Sequence, residues 1–262
     1  MGPHWLESIF NPRSVVVVGA SKKTHSVGGR VFHNLCNDGF AGTLIPVNPK
    51  YREIHGRTCH ASLADLDQHV DVAVIATPAR SVPDIIRLCG QQKIKAAIVL
   101  SAGFGETGGS GKSLETQLVA EARHANVRFI GPNCLGLMRP RSGFNATFLH
   151  APAPKGRLAL VSQSGALCAA IVDWARANQL GFSTIVSLGN ASDVDFGDVL
   201  DFLAMDPATD AILLYIEGRN DARAFISGLR TAARSKPVIA LKAGRHERGS
   251  AAARTHTGAL IG

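Results

Sequence analysis

Residues 14–21 read SVVVVGAS. Four consecutive valines are β-branched and apolar on both sides of a period-2 repeat, which predicts a strand buried on both faces, and the glycine at its end predicts a tight turn. The following GGRVFHNLCNDGF has apolar residues at helical spacing. The same alternation recurs in GTLIPVNP (42–49), VDVAVIATP (70–78), KAAIVLSAGFG (95–105) and VRFIGPNCLG (127–136), with Pro83 placed to open a helix. Continuous apolar strands alternating with helices require a parallel sheet covered on both sides, so residues 1–150 are expected to form an α/β, doubly wound, Rossmann-like domain.

HAPAPKG (150–156) has no periodicity and reads as a linker. A second series follows: RLALVSQSGALCAAIVDWARAN is again strand, turn and helix, STIVSLGN, AILLYIEG and KPVIALKAGR are further strands, and DFGDVLDFLAMD and DARAFISGLRTAARS are helices between them. Residues 151–262 are thus expected to form a flavodoxin-like domain, incomplete at its C-terminal end. Two domains also suit a length of 262 residues.

Several functional classes are disfavoured. The five cysteines are irregularly spaced without a CxxC pair, so no metal or redox motif is expected. No apolar run reaches the ~18 residues of a membrane span and the N-terminus lacks the order of a signal peptide, which predicts a soluble, cytoplasmic protein. The net charge of +8 is uneven: residues 219–262 hold nine Lys or Arg against two Asp or Glu, and the preceding residues 19 against 18. Without exposed aromatics or a docking motif, that excess points to an anion site or a covered basic surface and not to nucleic acid.

Anions bind at the carboxyl ends of parallel strands, where helix amino termini offer free N–H groups. In VVGASKKTHSVGG, Gly19 permits the bend and Ser21 can cap or donate, but the G-x-G-x-x-G spacing is missing and the second strand ends in Asn48 and Lys50 where an acidic residue would meet a ribose. NAD is therefore disfavoured, while Lys50 suits a phosphorylated nucleotide. GETGGSGKS (105–113) fails as an ATP loop because the position of its first glycine holds Glu106, and it reads as a flexible loop preceding a helix from Leu114. VSQSGAL (161–167) places hydroxyls and amides at a helix start, which taken alone reads first as an ordinary serine cap.

Glu217 ends a strand on the same sheet edge, and His256 lies in the small-residue segment AAARTHTGALIG. A neutral imidazole is a competent nucleophile toward phosphorus, and a carboxylate orients it and stabilises the charge formed on attack. The other nine histidines lack such a setting.

FNPRSVVVVGAS, PVNPKY, IGPNCLG, VSQSGAL, SLGN and THTGAL, in this order over nearly the whole chain, resemble the NDP-forming acyl-CoA synthetases, including ADP-forming acetyl-CoA synthetase and the alpha subunit of succinyl-CoA synthetase. The resemblance implies a first domain that binds coenzyme A or acyl-CoA and a second that carries a phosphorylated histidine. It makes His256 and Glu217 catalytic and Ser162, Gln163, Ser164 and Gly165 the phosphate cradle. Gly19, Ala20, Ser21, Asn48, Pro49, Lys50, Ser101, Ala102, Gly103, Asn133 and Cys134 become the surroundings of CoA. The family reaction interconverts acyl-CoA, phosphate and ADP with acid, CoA and ATP through an acyl phosphate and a phosphohistidine. ATP, ADP and Mg would enter only through a separate ATP-grasp domain or beta-type subunit, so a homo- or hetero-oligomer is expected. A second resemblance, to the same module in bacterial protein lysine acetyltransferases, implies a CoA-sensing regulatory unit beside an acetyltransferase domain.

Overall fold

The computed structural model describes residues 4–218 and 221–243. A short helix, α1 (Glu7–Phe10), precedes β1 (Ser14–Val18), whose five residues are all buried. Helix α2 (Val27–Asn37) starts at Ser26, whose hydroxyl accepts from Gly29 N at 3.2 Å. Then come β2 (Thr43–Val47), a small hairpin of β3 (Glu53–Ile54) and β4 (Arg57–Thr58), β5 (Val72–Ile75) and α3 (Val82–Gln91), with Pro83 in its first turn. Strand β6 (Ala96–Val99), helix α4 (Gly109–Ala125) and β7 (Arg128–Ile130) complete the unit. All pairings in this sheet are parallel and its order is β2-β1-β5-β6-β7. The strand order reverses between β1 and β5, which makes their carboxyl ends the ligand crevice of a doubly wound sheet.

The chain then crosses to the second sheet earlier than the sequence indicates. β8 (Gly136–Arg139) and β9 (Phe144–Thr147) form an antiparallel hairpin joined to that sheet through β8 and β11. The signal lay in GLMRPRSGFNATF, two apolar runs around a Pro/Gly turn, although neither run shows a helix-strand alternation. Residues 150–154 hold no helix or strand, and β10 (Lys155–Ser162), α5 (Gly165–Ala177), β11 (Phe182–Ser187), α6 (Phe196–Met205), β12 (Ala211–Ile216), α7 (Ala222–Ala233) and β13 (Val238–Lys242) follow. The order β13-β12-β10-β11-β8-β9 places the reversal of the four parallel strands between β10 and β12, so Ser162 and Glu217 share the second crevice. This is the flavodoxin-like arrangement.

Strand periodicity divides the cores. Val16 and Val18 face Val82, Ile86, Leu118 and Ala122 of α3 and α4, whereas Val15 and Val17 belong to a cluster containing Val31 and Phe32 of α2. That second cluster continues into Val161, Val186, Val199, Leu200 and Leu214, so one core spans both sheets. Phe10 of α1 is fully buried in it and stacks on Phe202 of α6 with centroids 4.1 Å apart. Such a pair contributes about 0.5–1.5 kcal/mol beyond its buried area. Arg128 supplies a polar tie, its Nε donating to both oxygens of Asp193 at 2.9 Å while its guanidinium lies 4.1 Å from the Trp5 ring centre.

Helix α4 starts five residues before Leu114, where the sequence placed it. Carboxylates of Glu106 and Glu115 tie down the preceding turn and let the glycine-rich stretch enter the helix.

A buried ion pair fixes the hairpin against α6. Arg139 Nη1 donates to Asp206 at 2.8 Å and to Thr184 Oγ1 at 2.8 Å, with both charged side chains under a tenth exposed. Burial raises the Asp206 carboxyl, but the Arg139 bonds and charge, with donors from Thr209 and Ala208, hold it below the ordinary carboxylate range. Replacing Asp206 with Asn leaves Arg139 buried without its counter-charge and should destabilise the protein by about 3 kcal/mol at pH 7. A lowered folded value means that this stabilisation is present above the unfolded value of about 3.9 and is lost as pH falls through the folded one. Urea midpoints of variant and wild type should therefore differ at pH 7 and converge below about pH 4. Equal midpoints at pH 7 would show the pair to be dispensable.

Candidate functional site

The strand ends of the first sheet are built for close approach. Gly19, at φ +90°, follows β1, and an added Cβ there would strike the carbonyl of Ala76 after β5. A Cβ on Gly28 would likewise strike the Gly19 carbonyl, so only glycine lets α2 start directly against the end of β1. The first-turn amides of α2 thereby face the crevice with the positive end of the helix dipole. Ser21 Oγ accepts from Lys23 N at 3.0 Å and lies 3.3 Å from Tyr51 Oη. Asn48 donates through Nδ2 to Ala20 O at 2.8 Å and accepts from Lys50 N at 3.0 Å, which uses both ends of its amide on the backbone and leaves Pro49 and Lys50 exposed beside the turn. Gly19, Ala20, Ser21, Asn48, Pro49 and Lys50 thus form one group at the ends of β1 and β2.

A second group lines a cavity of about 700 Å³ between the two sheets. Ser101, Ala102, Asn133 and Cys134 contribute from the first sheet, and Gln163, Ser164 and Gly165 from the second. Ser101 Oγ donates to Thr77 O at 2.6 Å, and Asn133 N donates to Ser101 O at 2.9 Å. Cys134 is buried and donates to Val99 O at 3.3 Å; burial pushes its thiol up to about 12, so it is a neutral wall group and not a nucleophile. Gly103 is not among the lining residues, and its amide is taken by Glu106.

At the second crevice, Ser162 is fully buried and closes a local loop, donating to Ser164 O and accepting from Ser164 N, both at 3.0 Å. Ser164 Oγ accepts from Leu167 N at 3.3 Å, the serine cap that the sequence left open, and the first intrahelical bond runs from Cys168 N to Ser164 O. Gly165 and Ala166, whose amides precede that bond at the positive end of α5, line the cavity. Gln163 has a different task from phosphate contact through its carbonyl: Oε1 accepts from Glu217 N at 2.7 Å and Gly218 N at 2.9 Å, tying the turns after β10 and β12 together.

Glu217 is 3% exposed, and its Oε2 has no hydrogen-bond partner among the described residues. A buried carboxylate oxygen left without a donor is costly, which marks a place where a further group belongs. Lys242 Nζ donates to Glu217 O at 3.0 Å, bringing a cation to the same strand end. His256 lies outside the described residues. Among the described residues, no group of three or more His, Cys, Asp or Glu is arranged to hold a metal, and no helix is long and apolar enough to cross a membrane.

Sequence reasoning missed much of the cavity wall. Thr77, Leu100, Leu135, Phe148, Leu149 and His150 line it, as do Ala166 and Ala169 one helical turn apart on α5. Leu135 and Ala166 sit inside the IGPNCLG and VSQSGAL stretches and Thr77 and Leu100 at strand ends, whereas Phe148, Leu149, His150 and Ala169 carry no motif and reach the cavity only because the hairpin and α5 converge there.

The comparisons agree with this division. Residues 13–140 match the model of a CoA binding domain, and residues 155–262 that of a succinyl-CoA ligase like flavodoxin domain. The chain is 44% identical over 257 residues to the ADP-forming acetate–CoA ligase I of Archaeoglobus fulgidus, covering 98% of this chain and 37% of the relative. It is 43% identical to the alpha subunit of the ADP-forming acetate–CoA ligase I of Pyrococcus furiosus, covering 98% of this chain and 56% of that one. It therefore spans about half or less of the length of these relatives. The structure of the dinucleotide forming acetyl-coenzyme A synthetase 1 of Ca. Korarchaeum cryptofilum, in complex with phosphate and ADP, superposes with a TM-score of 0.93 at 40% identity, covering 98% of this chain and 55% of the other. Two consecutive domain matches, the paired sheets and these relatives place the chain in the NDP-forming acyl-CoA synthetase family.

Proposed function

We propose that this chain is the CoA-binding and phosphohistidine-bearing part of an NDP-forming acyl-CoA synthetase, acting with an ATP-grasp domain or beta-type subunit that exchanges the phosphoryl group with ADP or ATP and supplies the Mg site. One observation carries the reading: a single cavity joins the strand ends of the CoA-binding sheet to the amino terminus of α5. CoA would lie along the first crevice, its phosphates near the α2 amino terminus, Ser21 and Lys50, and its thiol directed toward the cavity. Inorganic phosphate held at the amides of Gly165 and Ala166 would attack the thioester carbonyl of the acyl-CoA, breaking its C–S bond to give an acyl phosphate and release CoA as the thiol. His256 would attack the acyl phosphate, forming a phosphohistidine and releasing the acid, with Glu217 orienting the ring and stabilising its positive charge. The orphaned Oε2 of Glu217 supports that role, since an imidazolium N–H would supply the missing donor.

The alternative, a CoA-sensing module beside an acetyltransferase domain, shares the first crevice but needs no phosphoryl chemistry. The ligase reading is preferred because the relatives named above are acid–CoA ligases and because His256 and Glu217 are both present.

Incubation with acetyl-CoA and labelled phosphate should place an acid-labile phosphate on His256, and Glu217→Gln should slow its appearance by roughly 100-fold. A protein that binds CoA but takes up no phosphate would overturn the ligase reading. Calorimetry provides a separate check of the nucleotide end. If Lys50 meets the ribose phosphate, Lys50→Ala should weaken CoA roughly tenfold, the loss of about one charge-assisted contact, and leave dephospho-CoA nearly unchanged. Equal losses for both ligands would remove Lys50 from that role.

A further inference from the structure

The loop after β6 offers three consecutive amides, a concave set of donors of the kind that receives anions. The protein fills it with its own carboxylates. Gly103 N donates to Glu106 Oε1 at 2.5 Å, Phe104 N to the same oxygen at 3.2 Å, and Gly105 N to Glu115 Oε2 at 2.7 Å. Two carboxylates brought this close repel unless donors separate them, and the separating donor comes from the other domain. Asn190, in the SLGN turn after β11, donates through Nδ2 to Glu106 Oε2 and Glu115 Oε2, both at 2.8 Å. Its Oδ1 accepts from Asn133 Nδ2 at 3.2 Å, so both ends of one amide are used. Ser192, two residues on, donates to Glu115 Oε1 at 2.6 Å and reaches neither Glu106 nor Asn133. Backbone bonds hold the turn on both sides: Asn190 N donates to Pro132 O at 3.0 Å, and Leu188 N to Ser162 O at 2.8 Å.

Asn190 therefore stands between the two crevices. Through Asn133 and Glu106 it grips the two loops of the first sheet that border the cavity, and through its own turn it is joined to the phosphate cradle. Loops at strand ends have few packing contacts of their own, so such side-chain ties decide their conformation. We propose that Asn190 is a positioning residue for coenzyme A, holding Asn133 directly and Gly103 through Glu106 in the arrangement that receives the ligand. The inference rests on the reading that these loops border the CoA site.

The test is calorimetric titration of the full chain with CoA, alongside thermal melting, for Asn190→Ala, Ser192→Ala and Glu106→Gln. Asn190→Ala and Ser192→Ala each remove contacts from the same seam and should both lower Tm, but only Asn190→Ala releases the CoA loops. It should weaken CoA at least tenfold, with Ser192→Ala within about twofold of wild type. Glu106→Gln keeps an acceptor for the Gly103 and Phe104 amides but turns an NH2 group toward that of Asn190, so its affinity should fall between the two; this variant carries the test if Asn190→Ala does not fold. Wild-type CoA affinity in Asn190→Ala or Glu106→Gln, or equal weakening by Ser192→Ala, overturns the proposal. Absence of CoA binding by the unmodified chain would remove the underlying CoA reading and this proposal with it.

Discussion

The apolar seam between the two sheets is the constraint on which the remaining features depend. Each sheet alone would present its ligand-binding edge to solvent, as doubly wound sheets do. Here alternate residues of β1 and β5, alternate residues of β10 and β12, and Val186 of β11 belong to one buried cluster, closed by α1 and by Phe10 against Phe202. A core of that kind is close-packed and does not deform continuously, so it fixes how one strand-end edge faces the other. The cavity exists because two edges, each capable of receiving an anion, are held across from one another.

Polar ties then set the register of that seam. Asn34 of α2 donates to the carbonyls of Thr147 and Leu149 at 2.8 and 2.9 Å, and Asn145 of β9 donates to Asp38 at 2.6 Å. Arg128 and Asp193 join the far ends of β7 and the loop before α6. These bonds add little net energy individually, about 1 kcal/mol each, but leaving any of their buried partners unsatisfied would cost more. Their value is geometric. Leu135 N donates to Ser187 Oγ at 3.0 Å, which places the last segment of the CoA side within one residue of the turn that supports Ser162.

Much of the fold was legible because its signals are local. The valine run of β1, the serine cap of α5 and the alternation of strands and helices each follow from sequence neighbours, whereas α2 is capped by Ser26 and not by Ser21. The positions of Gly19, Asn48 and Glu217 at strand ends were legible for the same reason, since each follows directly on an apolar run. What escaped depended on contacts distant in sequence. The β8–β9 hairpin is a short antiparallel addition with no alternating helix to announce it, and Phe148 to His150 reach the cavity only through it. The tie made by Gln163 escaped as well: its carbonyl accepts from the Glu217 and Gly218 amides, 54 and 55 residues away. The glycine-rich 105–113 loop looked like an open flexible turn, whereas Glu106 and Glu115 occupy the donors at its start.

A CoA molecule that bridges the two strand-end edges would cover backbone amides on both sheets. Hydrogen–deuterium exchange of the full chain with and without CoA tests this bridging most directly, because amides at strand ends and in a helix's first turn exchange readily unless a ligand covers them. CoA addition should slow exchange in peptides spanning 101–104 and 131–135 of the first sheet and also in the peptide spanning 163–169 at the start of α5. Protection confined to the first sheet, with the α5 amino terminus exchanging as in the free protein, would contradict it.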